Sequence, residues 1–163
     1  MLDGGWGIFD GSLNPTTGVA ITATAVSTNV LDLMVGTDIG AGLAYDPELH
    51  VDIITSLTGN TGTLTVQLQC APDNGSGSPG SFFVILQSPT LAIANLTAGS
   101  RAVRYAWPVI QGLFSSLSDV NPPRFLRLNY VVGSGPFTAG TVLSYLNVDR
   151  EERLIYPSNF VTA

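Results

Sequence analysis

Lysine is absent from this 163-residue chain, and its six basic residues are all arginines, at positions 101, 104, 124, 127, 150 and 153. They face twelve acidic residues, for a formal net charge of -6. Nucleic-acid binders neutralise phosphates with clustered Lys and Arg, so the balance argues against nucleic acid as a partner and equally against an anionic membrane surface. A glycine-rich loop such as "DNGSGSPG" cannot act as a phosphate-binding P-loop without the lysine that reaches the phosphates. There is one cysteine, Cys70, so no intrachain disulfide can form. There is one histidine, His50, which with one cysteine cannot assemble a zinc site of nitrogen and sulfur ligands. No stretch reaches the ~18 apolar residues of a membrane span. The opening "MLDGGWGIFDG" has no basic start or long apolar run, and is expected not to be a signal peptide.

Charged residues make up only 11% of the sequence and hydrophobic residues 45%, against a usual charged share of about 25%. Disordered proteins show the reverse balance. The length suits one domain with a sizeable core, and part of the surface is expected to be uncharged enough to meet a partner.

Period-2 alternation dominates. In "TLTVQLQC" (63–70), Leu64, Val66, Leu68 and Cys70 share one face, and Thr63, Thr65, Gln67 and Gln69 the other. That is a strand with one face in a core and one in water. "LHVDIIT" places Leu49, Val51 and Ile53 inward, and "FLRLNYVV" places Leu126, Leu128, Tyr130 and Val132 on one face. "AITATAV" (20–26), "NVLDLMV" (29–35), "FFVILQS" (82–88), "RAVRYAWP" (101–108) and "TVLSYLNV" (141–148) bring the candidates to eight. Gly- and Pro-rich turns such as "GNTG", "APDNGSGSPG" and "GSGPFTAG" separate them. Helical periodicity is nearly absent; "QGLFSSLSD" (111–119) is the one stretch that suits a turn or two of helix. The pattern predicts an all-β protein of about eight antiparallel strands over residues 19–148, a β-sandwich or a barrel.

The ends do not alternate in this way. Residues 1–18 are read as an N-terminal arm carrying Trp6, Ile8 and Phe9, and residues 149–163 as a C-terminal arm carrying Leu154, Ile155, Tyr156 and Phe160. These apolar groups either pack on their own domain or bury against a partner, and they are the candidate interface residues together with Arg127. The planar guanidinium of Arg127 suits an interface, although an ordinary outward charge accounts for it more simply.

Candidate chemistry is sparse. Asp46, Glu48, His50 and Asp52 alternate along one strand and superficially resemble a metal ligand set, but they are also what the solvent face opposite Leu49, Val51 and Ile53 would carry. Cys70 has inward parity, where a cysteine behaves as a small hydrophobe, and His50 is the only imidazole available as a base. No G-x-S-x-G elbow occurs, and nothing marks out a carboxylate pair for glycoside hydrolysis. The expectation is a protein that is not an enzyme and needs no cofactor or metal.

The segments "AITATAVSTNVLDL", "DIGAG", "TLTVQLQCAPDNG" and "RFLRLNYVVGSGPFTAGTV", in that order, resemble the jelly-roll capsid cement (decoration) proteins of tailed bacteriophages with podophage-type heads. The ending "YPSNFVTA" is similar to that group's C-terminal tail. The resemblance implies a jelly-roll sandwich, made in the host bacterial cytoplasm, that sits on the outer surface of the virion head. There it would bridge major capsid protein subunits and stabilise the expanded shell. It also implies a homo-oligomer, a homodimer ahead of a trimer. The competing reading is a lectin-like or receptor-binding β-sandwich of a virion, with Trp6, Trp107 and the "PDNG" loop as its candidate contacts.

Overall fold

The computed structural model describes residues 7–13, 16–33, 48–106 and 124–147. Thirteen strands are present among them. Six are short: β1 (Ile8–Asp10), β2 (Ser12–Leu13), β3 (Thr16–Thr17), β4 (Val19–Ala20), β5 (Ala25–Val26) and β6 (Leu31–Asp32). Two long central strands follow, β7 (Glu48–Thr58) and β8 (Thr63–Ala71). Then come β9 (Phe83–Gln87), β10 (Leu91–Ala92), a single 3-10 turn (Ile93–Asn95) and β11 (Arg101–Ala106). The last two strands are β12 (Phe125–Gly133) and β13 (Ala139–Asn147).

One sheet runs β1-β13-β7-β11, with β4 also on β13; the other runs β10-β8-β12-β5, with β6 on β12 and β9 on β8. All pairings are antiparallel. Taking β1/β4, β5/β6 and β9/β10 each as one position gives eight positions, ordered 1-8-3-6 in one sheet and 2-7-4-5 in the other. That is the double-sheet order of a jelly roll. The short β2–β3 hairpin stands apart.

Between the sheets lies one hydrophobic core. The strand parity read from the sequence holds: Leu64, Val66, Leu68 and Cys70 of β8 and Leu126, Leu128 and Tyr130 of β12 are buried against Leu49, Val51 and Ile53 of β7. Leu128 pairs with Leu68 and Leu126 with Cys70, so the inward sets of β8 and β12 fall in register. Burial of each such group contributes roughly 1.5–3 kcal/mol. Two register irregularities lie between Ala139 and Val142 in β13, after which Val142, Ser144 and Leu146 face Ile53, Val51 and Leu49. Gly140 makes the first possible: its φ is +132°, and a Cβ there would lie 2.6 Å from the Leu57 Cα.

The structure departs from the sequence expectations in three places. Residues 20–26 do not form one strand. Val19–Ala20 belongs to the first sheet and Ala25–Val26 to the second, and the backbone bends between them at residues 22–24. Side-chain hydroxyls replace ladder bonds at this crossing: Thr24 Oγ1 accepts from the Val132 N–H (3.0 Å) and Ser27 Oγ from the Leu128 N–H (3.0 Å). Secondly, residues 8–10 of the expected N-terminal arm join the sandwich. Ile8–Asp10 pairs with β13, and Phe9 is fully buried in the protein's own core. Thirdly, His50 is not on a solvent-facing strand surface; it is completely buried. The helical turn expected at 111–119 and the arm at 149–163 lie outside the described residues.

Candidate interaction surfaces

The outward side chains of β7 sit between arginines on β11 and a tyrosine on β13. Arg104 pairs with His50 in the β7–β11 register and Tyr145 pairs with it in the β7–β13 register, so three strands bring their polar groups to one place. Arg104 Nε donates to Glu48 Oε2 at 2.8 Å, and His50 Nε2 lies 3.1 Å from the same oxygen. His50 Nδ1 lies 3.4 Å from the Tyr145 hydroxyl, which donates to Asp52 Oδ2 at 3.0 Å. Arg101 Nε donates to Asp52 Oδ1 at 2.7 Å. The result is a belt, Arg104–Glu48–His50–Tyr145–Asp52–Arg101, that cross-links three strands through their outer face. Of the four residues singled out by spacing, Glu48, His50 and Asp52 do meet, but as members of ion pairs and hydrogen bonds, and Asp46 lies outside the described residues. Among the described residues no cluster of three or more His, Cys, Asp and Glu side chains is arranged to hold a metal ion.

The outer face of the second sheet is built from amides. Gln67, Gln87 and Asn129 are register partners across β9, β8 and β12. Gln67 Nε2 donates to Gln87 Oε1 and Asn129 Nδ2 to Gln67 Oε1, both at 2.8 Å. One row along, Arg127 Nε donates to Gln69 Oε1 at 2.8 Å, and its guanidinium lies 3.8 Å from the centre of the Phe82 ring. Burial lowers the Arg127 pKa from its ordinary value. Val26 (48% exposed) and Val84 (45%) flank the amides. The centre of this face is therefore uncharged apart from a guanidinium already stacked on an aromatic ring.

At the end of the second sheet, Arg124 reaches two carboxylates. Its Nε and Nη2 donate to the two oxygens of Asp32, each at 2.9 Å, and Nη1 donates to Asp73. This ties β6 to the loop at residues 72–80, whose Asp73 also accepts from the N–H groups of Gly75 (2.7 Å) and Gly77 (3.0 Å). The Gly77 bond, with the Gly75 bond and the neighbouring Arg124, holds the Asp73 carboxyl below the usual carboxylate range.

The sequence profile of the Bbp16 family matches residues 16–146, which is most of the protein. The chain belongs to the Bbp16 family. The Bbp16 match takes in both sheets apart from β1, so the amide face, the Arg104–Arg101 belt and the Arg124 junction all fall inside it. No curated protein matches the sequence. Among the described residues no helix is long and apolar enough to cross a membrane.

The expected interface residues separate into three groups. Trp6, Leu154, Ile155, Tyr156 and Phe160 lie outside the described residues. Phe9 is buried in the protein's own core and so is not available as a partner-facing anchor; Ile8, beside it on β1, is half-buried. Arg127 is neither a bare outward charge nor an unengaged contact, because Gln69 and Phe82 hold it. Sequence reading passed over Phe82 and the Asp32–Arg124–Asp73 junction. Phe82 lies just before β9, outside its pairing with β8, so no strand pattern marks it as a partner of Arg127. The junction joins residues far apart in sequence and leaves no local signal.

Proposed function

We propose that this protein is a structural virion component, a capsid cement protein that binds the outer surface of a phage head, bridges major capsid protein subunits and stabilises the expanded shell. The observation that carries the reading is the outer face of the second sheet. It is a row of mutually bonded amides flanked by exposed Val26 and Val84, with little net charge. Such a face costs less to desolvate than a charged one, because its polar groups are amides that bond to one another, and it gains apolar burial on contact. Membership of Bbp16, a phage-related family, supports the setting. A jelly roll locked by side-chain bonds on both outer faces suits a load-bearing tile.

Rebinding to heads stripped of the protein tests the proposal. Added protein should restore binding and raise the temperature at which the heads release DNA, and Val84→Asp should weaken rebinding while leaving the far-ultraviolet circular dichroism unchanged. Heads that neither rebind the protein nor gain heat resistance from it would refute the reading.

A further inference from the structure

We infer that Asn74 is a site of spontaneous covalent modification, at which the backbone nitrogen of Gly75 closes onto the amide carbonyl of the Asn74 side group and that amide is converted to a carboxylate. Asn74 is the only asparagine of the sequence followed by glycine. A side chain at the following residue would shield the attacking nitrogen. Gly75 has none, sits at φ +89°, and has open space where a Cβ would be. Residues 74–79 are exposed, so water and base have access.

The loop also places the groups the reaction needs. The Asn74 Oδ1, which must become an oxyanion as the nitrogen attacks, accepts from the Ser76 N–H at 2.9 Å and from Ser76 Oγ at 2.6 Å. Two donors aimed at an oxygen where negative charge develops lower the barrier, as in an oxyanion hole. The Gly75 N–H points at Asp73 Oδ1, 2.7 Å away. That carboxylate oxygen lies where it can accept the departing proton as a general base. The tip is held as well: the Asn74 N–H donates to Ser78 O at 2.9 Å, and Gly80 N–H to Pro72 O at 2.8 Å.

The balance of the step is simple. The Gly75 nitrogen forms a bond to Asn74 Cγ and gives up its proton. The bond between Cγ and Nδ2 of Asn74 then breaks and ammonia leaves, which closes a five-membered succinimide. Water opens the ring at either carbonyl, giving aspartate or isoaspartate. One water is consumed, one ammonia is released, and nothing is oxidised or reduced. The product adds a negative charge beside Asp73, and the isoaspartate form lengthens the backbone within the Asn74–Ser78 bracket. This chemistry is independent of any role on a capsid.

The test follows the full-length protein in mildly alkaline buffer, folded and in urea, by released ammonia, isoaspartyl methyltransferase labelling and peptide mass mapping. The expected result is conversion at Asn74, several-fold faster in the folded protein than in the unfolded one, and none at position 74 in Asn74→Gln. Ser76→Ala, at an exposed loop tip, should fold normally by circular dichroism and reduce that folded-to-unfolded ratio several-fold. A folded rate at or below the unfolded rate, or a ratio unmoved by Ser76→Ala, overturns the inference.

Discussion

Replacing Tyr130 by phenylalanine should remove one hydroxyl from the centre of the sandwich and lower stability by an amount the geometry sets. Tyr130 of β12 points across the core, where its hydroxyl donates to Asp10 Oδ2 of β1 at 2.7 Å and lies 2.7 Å from Ser144 Oγ of β13. Asp10 Oδ1 accepts from the Thr28 N–H at 2.7 Å. All three side chains are at most 1% exposed, so water cannot replace a lost partner. A hydrogen bond to a charged group contributes about 1.5–3 kcal/mol. Ser144 Oγ, 3.4 Å from Asp10 Oδ2, can turn its proton to the carboxylate and recover part of the loss. The expected cost of Tyr130→Phe is therefore about 2 kcal/mol. At about 2–4 °C per kcal/mol for a domain of this size, Tm should fall by about 4–8 °C. The urea midpoint should fall with an unchanged m-value, since the unfolded surface is the same. Tyr105→Phe is the control: its hydroxyl donates to Gln87 O over 3.4 Å, and its loss should cost less than about 0.5 kcal/mol. Equal Tm values for Tyr130→Phe and the parent would refute the idea that this buried triad joins the two sheets.

Three further outcomes follow from the same structure. Burial pushes the Cys70 thiol from its ordinary 9.0 up to about 11. The unfolded protein therefore ionises first, and the stability this group contributes is intact below its unfolded pKa and lost as pH rises through the folded one. The urea midpoint of the parent should fall more steeply than that of Cys70→Ala between pH 9 and 11. Gly140→Ala should destabilise by about 2–4 kcal/mol in chemical unfolding, because it forces a side chain to φ +132° and against the Leu57 backbone. Arg124→Gln should lower the urea midpoint at neutral pH by unpairing Asp32 and Asp73. The Asp73 pKa is depressed in the fold, so its contribution exists above the ordinary carboxylate value and vanishes as pH falls. The gap between parent and Arg124→Gln should thus narrow in acid, as urea titrations at neutral and acidic pH can show.

Much of the sandwich could be read in advance because alternation reports directly on which side of a strand is apolar. "TLTVQLQC" and "FLRLNYVV" are long enough for the period to be unmistakable, and both became central strands with the expected inward sets. The pattern failed where the strands are two residues long. "AITATAV" alternates no less well, yet the backbone passes from one sheet to the other inside it, because hydroxyls of Thr24 and Ser27 supply the bonds a continuous ladder would have made. Alternation says nothing of such a substitution. The triad of Asp10, Tyr130 and Ser144 was equally hidden, since its members come from strands that meet only through the jelly-roll connections.

His50 shows why parity alone misjudged the polar face of β7. Alternation establishes that a side chain points away from the core, and the further step to solvent requires that nothing covers that face. In a protein with a charged share of only 11%, carboxylates and arginines on adjacent strands are few enough that each pairing consumes a large part of the available charge. Here Arg104 and Arg101 close over Glu48 and Asp52 at the two ends of a row, and the imidazole lies between them. The second sheet reaches the opposite result with amides, which bond to one another without removing a charge from water. A surface of that kind can be covered by a partner without breaking an ion pair, whereas covering the belt on the first sheet would desolvate four charged groups at once. If one outer face of this sandwich is reserved for contact, the desolvation cost selects the amide face, and binding through it should change little as salt screens the charges elsewhere.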